Sequence, residues 1–348
     1  WWRATCRTVR QVIAESGVDP AAIVGVGVDA VGWTLVPIDA AGDPLRPAII
    51  WLDRRADVEA ERLRALPGSD QLVNLDANPL DPAYITPKLI WLLGHEPDVV
   101  RKTRTYLGST GFLVSRLTGA LTCDYTQAYG YHFFDMRQER WSTEAADQIG
   151  VALEKMPPLQ PCTDVAGTVT AAAAEATGLR AGTPVIVGCL DAAVGALGSG
   201  VTRLGQTNEQ GGQAGGMAVS VDHVIVEPRL IFSHHVLARQ YLLQGGTVGG
   251  GSLGWFRDVL GQVEANAAQW TGVDAFELLS AEAGRAPAGS HGLIFLPYMA
   301  GERTPLWNTQ ARGAFVGLTY SSTRQDVVRA IMEGCAFAVR DNVEVAAE

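Results

Sequence analysis

Cysteine is scarce. The 348 residues hold five, Cys6, Cys123, Cys162, Cys189 and Cys335, with no C-x-x-C pair and no Cys/His cluster at metal spacing. That pattern argues against a disulfide scaffold or a structural zinc site, and it leads us to expect free thiols in a reduced, cytoplasmic protein. Long apolar runs are missing as well: none approaches the roughly 20 residues of a membrane-spanning helix, and no leader-like segment opens the chain. Blocks of like charge are absent, the 27 Lys+Arg and 37 Asp+Glu being dispersed to a formal charge of −10. Neither nucleic acid nor a membrane is therefore expected as a partner. His234 and His235 are adjacent, and neighbours on a strand point to opposite faces, which argues against a shared metal.

Glycine and apolar residues are plentiful. With 39 glycines and 47% hydrophobic content, a chain of this length can fill two cores, so two domains are expected. WWRATCRTVRQVIAESG begins directly in a helical pattern, with Val9, Val12 and Ile13 on one face, and NVEVAAE stops inside another, so both ends read as cuts in something longer. IVGVGVDAVGWTLVPID and AIIWLD read as strands joined by the turn AAGDPLRP, and DRRADVEAERLRAL and TGFLVSRLTG as helices. PKLIWLLGHEPDVVRKT reads as a helix that ends near His95 and restarts after Pro97. CDYTQAYGYHFFDMR looks strand-rich, MPPLQPCTDVAGTVT a connection, and AAAAEATGLRAGTPVIVG a helix, a turn and a buried strand. A small-residue helix from Asp191, a Gly-rich strand pair, a strand at YLLQGGT, helices from Gly251 onward and a strand at LIFL follow. In the final helix Thr323 and Asp326 make a capping-box pattern, and Val328, Ile331, Met332 and Cys335 share a face. The alternation makes the chain α/β, with two halves meeting near Asp191.

That acid is the first functional candidate. VIVGCLDAAVGALGSG sets Asp191 between an apolar strand and a ladder of small residues. Its plain role is to cap the next helix, but a junction of two halves is also where ligand sites open. The stretches NEQGGQAGGM and QGGTVGGGSLGW offer backbone N–H groups with no Cβ in the way, which suits phosphates. Gly249, Gly251 and Gly254 also satisfy G-x-G-x-x-G, but the acid near the required distance, Glu277, sits in a helical context, so an NAD-linked oxidoreductase ranks low. Trp33, Trp51, Asp53 and Arg54 supply the aromatic faces and polar groups that a polyhydroxylated ligand calls for. A carboxylate beside a sugar hydroxyl can take its proton as the oxygen attacks phosphorus, so these residues point to phosphoryl transfer. Plainer roles are Trp51 as core filler, Arg54 in a surface ion pair of its own helix, Glu302 with Arg303 as a structural salt bridge, and Cys189 as a core-facing strand residue.

GAFVGLTYSSTRQDVVRAIME resembles in type and spacing a signature of the FGGY carbohydrate kinases, the group containing glycerol kinase, xylulokinase and gluconokinase. GLIFLPYMAGERTPLWNTQARG resembles the lead-in to that signature, above all in xylulokinases; LRPAIIWLDRR resembles the family's sugar-side turn, and GTPVIVGCLDAAVGALGSG the segment carrying its catalytic aspartate. The resemblance spans nearly the whole chain. It implies two actin-like (ribonuclease H-like) domains around a central cleft, a sugar-binding domain over residues 1–188 and a nucleotide-binding domain over 189–348, each incomplete at one end. It further implies Asp191 as general base and Trp33, Trp51, Asp53 and Arg54 as substrate-binding. Gly212, Gln213, Gly215, Gly250, Gly251 and Trp255 fall on the nucleotide side. ATP and Mg²⁺ are the implied cofactors, with no metal ligand assigned in this chain, and a sugar or polyol is the implied partner; a homodimer is left open.

Departures from the family pattern are equally specific. The Asp-Gly-Thr-rich first phosphate loop, which helps hold Mg²⁺, and the adenine-binding stretch beyond the last helix are not in this sequence, so the chain alone is expected to be inactive. The second phosphate loop, Gly-Thr-Ser-Gly in the family, falls on Gly212, Gln213, Ala214 and Gly215, and the Met-His pair of xylulokinases on Gly32 and Trp33. A second signature keeps Lys88 and Trp91 but has Ala83 and Ile85 where other types are expected. The competing reading is a sugar-binding kinase homologue without turnover.

Overall fold

The periodic start of the chain forms the helix Trp2–Ser16, closed by Gly17 in the left-handed region at φ 65°. Val9 and Ile13 pack on Leu117, Val169 and Val185, whereas Val12, expected on the same face, is 57% exposed. Periodicity fixes a face only to within a turn, and the helix Ala171–Thr177 that packs against this one covers the Val9/Ile13 flank. The computed structural model describes residues 1–212, 215–247 and 249–348. They fall into two units, one formed by Trp1–Thr202, Val221–Val226 and Phe232–Leu242, the other by Arg203–Ser220, Glu227–Ile231 and Leu243–Glu348.

Very short strands set between helices make up the first unit. Val36–Ile38 runs antiparallel to Thr105–Leu107, and Asp29–Ala30 runs parallel to Cys189–Leu190. AIIWLD, read as a strand, contributes one bridge from Ile49 to Leu35; Pro44 and Pro47 just before it cannot donate to a ladder. CDYTQAYGYHFFDMR is less strand-rich than its aromatics suggest. After Cys123–Asp124 it turns into the helix Tyr125–Ala128, because the Asp124 carboxylate caps it by accepting from Gln127 N–H at 3.0 Å. Conversely, the supposed connection MPPLQPCTDVAGTVT contains Leu159–Gln160, parallel to Cys123–Asp124, and Val165–Thr168, antiparallel to Pro184–Ile186. The helix pair Ile85–His95 and Pro97–Lys102 breaks where Pro97 dictates.

In the second unit the Gly-rich pair is antiparallel, Thr207–Gly211 against Gly215–Val221, with Gly211 opposite Gly215. Beside Gly215–Val221 runs the strand ending at Thr247, and the helix Gly250–Val259 follows. The long helix Arg324–Ala347 starts with the full capping box of Thr323 and Asp326. Val328, Ile331 and Cys335 meet Phe256, Leu279 and Phe295 in the core, while Met332 is 39% exposed and stands outside that face. Gly334 lets this helix ride directly on a strand: a Cβ there would lie 2.2 Å from the Phe295 carbonyl oxygen. Gly334→Ala is expected to cost about 2 kcal/mol through overpacking. Urea unfolding measures it, and a change below about 0.5 kcal/mol would mean that the helix shifts freely.

Candidate functional site

Asp191 opens the helix Asp191–Gly198 directly after the strand Cys189–Leu190. The turn before that strand demands glycine, since Gly188 sits at φ 82° and a Cβ would lie 2.3 Å from the Val28 carbonyl oxygen. Leu190, not Asp191, holds the cap position, so the capping role read for the acid is not the one it plays; its Oδ1 instead accepts from Ala192 N–H at 2.7 Å. The side chain is solvent-accessible, yet enough protein surrounds it that desolvation lifts its pKa above the ordinary carboxylate value. The Ala192 N–H pulls the other way, and the Asp29 charge adds to the rise. Asp29 comes from the parallel neighbour strand, in register with Cys189. Asp191 thus follows the carboxyl end of a strand whose parallel neighbour carries Asp29, at the edge where α/β sheets open their ligand sites.

Trp33 lies on the loop after Asp29–Ala30, at φ 50°. Its ring is 4% exposed, 4.2 Å from Tyr84 and 5.9 Å from Tyr129 between centroids, and its buried Nε1 has no hydrogen-bond partner among the described residues. Lys88 holds this backbone, donating from Nζ to the Trp33 carbonyl at 2.9 Å and to the Ala83 carbonyl. Burial pushes the Lys88 pKa down to about 7, against the pull of the Asp53 and Asp81 charges. Asp53 is gripped by Arg55, with contacts of 2.6 and 2.9 Å that hold its carboxyl below the usual range, and Arg55 lies 4.8 Å over the Trp91 ring. Arg54, which precedes the helix Asp57–Arg64, pairs at 2.7 Å with the buried Asp81 rather than with that helix. Trp51 is half-buried in the turn closed by the Asp53 N–H to Ile50 carbonyl bond of 3.0 Å. Trp33, Asp53 and Arg54 therefore share one neighbourhood around Lys88 and Asp81. Gly32 brings it next to the acid's strand, for a Cβ there would lie 2.5 Å from Leu190 Cδ1. Asp81, Tyr84 and Tyr129 escaped the sequence reading because nothing local marks them; Lys88 was visible only through its signature.

On the second unit, Gly212, Gly250, Gly251 and Trp255 line one cavity of about 690 Å³ together with Arg257 and Phe276, a size suited to a nucleotide. Gly215 stands beside this wall, with Gly249 Cα 3.8 Å from where its Cβ would be; Gln213 lies outside the described residues. The Arg257 guanidinium covers the Phe276 ring at 4.7 Å and pairs with Asp258 at 2.7 Å, a platform the sequence did not announce. Glu277, needed for a dinucleotide fingerprint, sits in the first turn of the helix Ala275–Ala283 and follows no strand. Glu302 accepts from the Arg303 backbone N–H at 2.8 Å, and burial lifts its pKa to about 7. Among the described residues no trio of His, Cys, Asp or Glu could hold a metal, and no helix is long and apolar enough to cross a membrane.

Comparison with known proteins adds an independent line. Residues 1–198 match the N-terminal domain of the FGGY family of carbohydrate kinases, and residues 224–348 match its C-terminal domain. The chain is 29% identical over 349 residues to the xylulose kinase of Bacillus subtilis, covering 99% of this chain and 68% of that protein. It is 27% identical over 306 residues to the gluconokinase of the same organism, covering 87% and 60%. The crystal structure of xylulose kinase from Rhodospirillum rubrum superposes with a TM-score of 0.85 at 32% identity, over 100% of this chain and 69% of that one.

Proposed function

The chain belongs to the FGGY family of carbohydrate kinases, and from that premise we propose that Asp191 is the general base for transfer of the ATP γ-phosphate to a sugar or polyol hydroxyl. It is a carbohydrate kinase with two actin-like domains. The observation that carries the role of Asp191 is an accessible carboxylate with a raised pKa at the ends of two parallel strands. A base stronger than an ordinary aspartate takes the hydroxyl proton while the oxygen forms its bond to phosphorus and the bond to the ADP oxygen breaks. Mg²⁺ would enter with ATP as part of the substrate complex, where it would supply neutralisation of phosphate charge.

Around the base we assign Trp33, Trp51, Asp53 and Arg54 to the sugar, and Gly212, Gln213, Gly215, Gly250, Gly251 and Trp255 to the nucleotide. This corresponds to a sugar domain over 1–188 and a nucleotide domain over 189–348. The packing of Trp33, Asp53 and Arg54 about Lys88 supports the first group, and the Gly-lined cavity beside Trp255 supports the second. Asp53→Asn is expected to raise the sugar KM about tenfold with kcat within about threefold, because a hydroxyl contact equal in ground and transition states is what it removes. Steady-state kinetics over a sugar panel, run on the intact protein with a coupled ADP readout, tests both the activity and this residue. If no sugar stimulates ATP consumption while sugars still raise Tm, the protein binds without turnover.

A further inference from the structure

Leu190, the residue before Asp191, gives its backbone N–H to a side chain rather than to a strand: Thr126 Oγ1 accepts it at 2.8 Å. A hydroxyl has one proton to place, and Thr126 spends it on Asp124 Oδ1, which also accepts Gln127 N–H at 3.0 Å. The result is a one-way chain, Leu190 N–H to Thr126 to Asp124, in which each link polarises the next. Thr126 is 1% exposed and Asp124 2%, so water does not compete. A parallel set holds the same junction from the other side. Thr110 Oγ1 donates to the Cys189 carbonyl at 3.2 Å, and Gln127 Nε2 donates to Thr110 Oγ1 at 3.0 Å and to the Ala30 carbonyl at 3.2 Å. The strand ends that present Asp191 and Asp29 are thereby pinned to each other through the helices Ser109–Thr118 and Tyr125–Ala128.

We propose that Thr126, backed by Asp124, is a positioning residue for Asp191: it fixes the backbone step into the helix and so the direction in which the carboxylate points. The proposal rests on Asp191 being the base. Reaction rates fall steeply when a reacting group is misplaced by even an ångström. A strand of two residues with one register cannot hold that tolerance alone, whereas a side-chain bond to the last N–H before the acid can.

In the intact protein, Thr126→Val, which keeps the shape and removes the hydroxyl, is expected to lower kcat about 10- to 100-fold with the sugar KM within about twofold; Thr126→Ser is expected to restore kcat to within about threefold. In an Asp191→Asn background the same Thr126→Val change is expected to do nothing further to the residual rate, whereas a merely structural role would multiply the losses. If Thr126→Val does not fold, Thr126→Cys, whose thiol bonds weakly, carries the comparison, with a drop in kcat of at least about threefold expected. A folded Thr126→Val or Thr126→Cys variant with wild-type kcat, or multiplicative losses in the double variant, overturns the proposal. Full activity in Asp191→Asn alone would instead overturn the base assignment beneath it.

Discussion

Asp191→Asn in the intact protein is expected to retain sugar affinity and to lower kcat by about 10²- to 10⁴-fold, the usual toll for losing a general base. Asparagine has the same shape and can still accept the Ala192 N–H that Asp191 Oδ1 takes at 2.7 Å, so the helix start should survive. What disappears is the proton acceptor. Because desolvation raises the Asp191 pKa, the acid limb of kcat/KM in the wild type should lie above the ordinary carboxylate range, with activity falling as pH drops and the base is protonated. The variant should lack that limb. Its stability near neutral pH should be equal or higher, since a carboxylate whose folded pKa is raised costs the fold its charged form. Sugar titration, pH-rate profiles and a thermal melt check the three parts; a variant with most of its rate would remove Asp191 from the base role.

Two buried groups of opposite sign contribute to the pH dependence of stability. His132 is wholly buried, within 3.0 Å of the Pro79 carbonyl and 3.8 Å of Asp76, and burial holds its pKa down at about 4. The unfolded chain takes that proton near 6.5, so the contribution of neutral His132 is present above pH 6.5 and lost as pH falls through 4. At ~1.4 kcal/mol per pH unit the loss is about 3 kcal/mol. Asp124 runs the other way. Burial lifts its pKa to about 7, so its contribution is present below the unfolded value near 3.9 and lost as pH rises through 7. His132→Gln should therefore gain about 3 kcal/mol on the wild type between pH 7 and pH 4, and Asp124→Asn should lose a comparable amount over the same range. Urea midpoints at pH 7, 5.5 and 4 decide it; three parallel curves would show that neither group is as dry as its burial suggests.

Local rules made some of this chain legible. The capping box of Thr323 and Asp326, the break at Pro97 and the strand-to-acid-to-helix order at Asp191 follow from residue types a few positions apart, and the fold keeps them. The short strands were harder, since two or three residues carry too little alternation to stand out, as at Leu159–Gln160. Exposure of Val12 and Met332 depends on which neighbour covers a helix flank, a tertiary fact. The surroundings of the candidate site were least readable of all. The ammonium of Lys88 answers a carbonyl 55 positions away, at Trp33, and Arg54 bypasses the helix that follows it for Asp81, 27 positions on. No periodicity encodes such pairs.

Gly32 has a consequence for redesign. With Leu190 Cδ1 only 2.5 Å from where a Cβ would stand, no side chain fits there while Leu190 keeps its rotamer. Grafting the Met-His pair of xylulokinases onto Gly32 and Trp33 would thus press on the residue next to Asp191. Changing which sugar is accepted and preserving the aim of the base are coupled events on this scaffold. A library that varies position 32 together with Leu190 should therefore retain more active clones than one that varies position 32 alone.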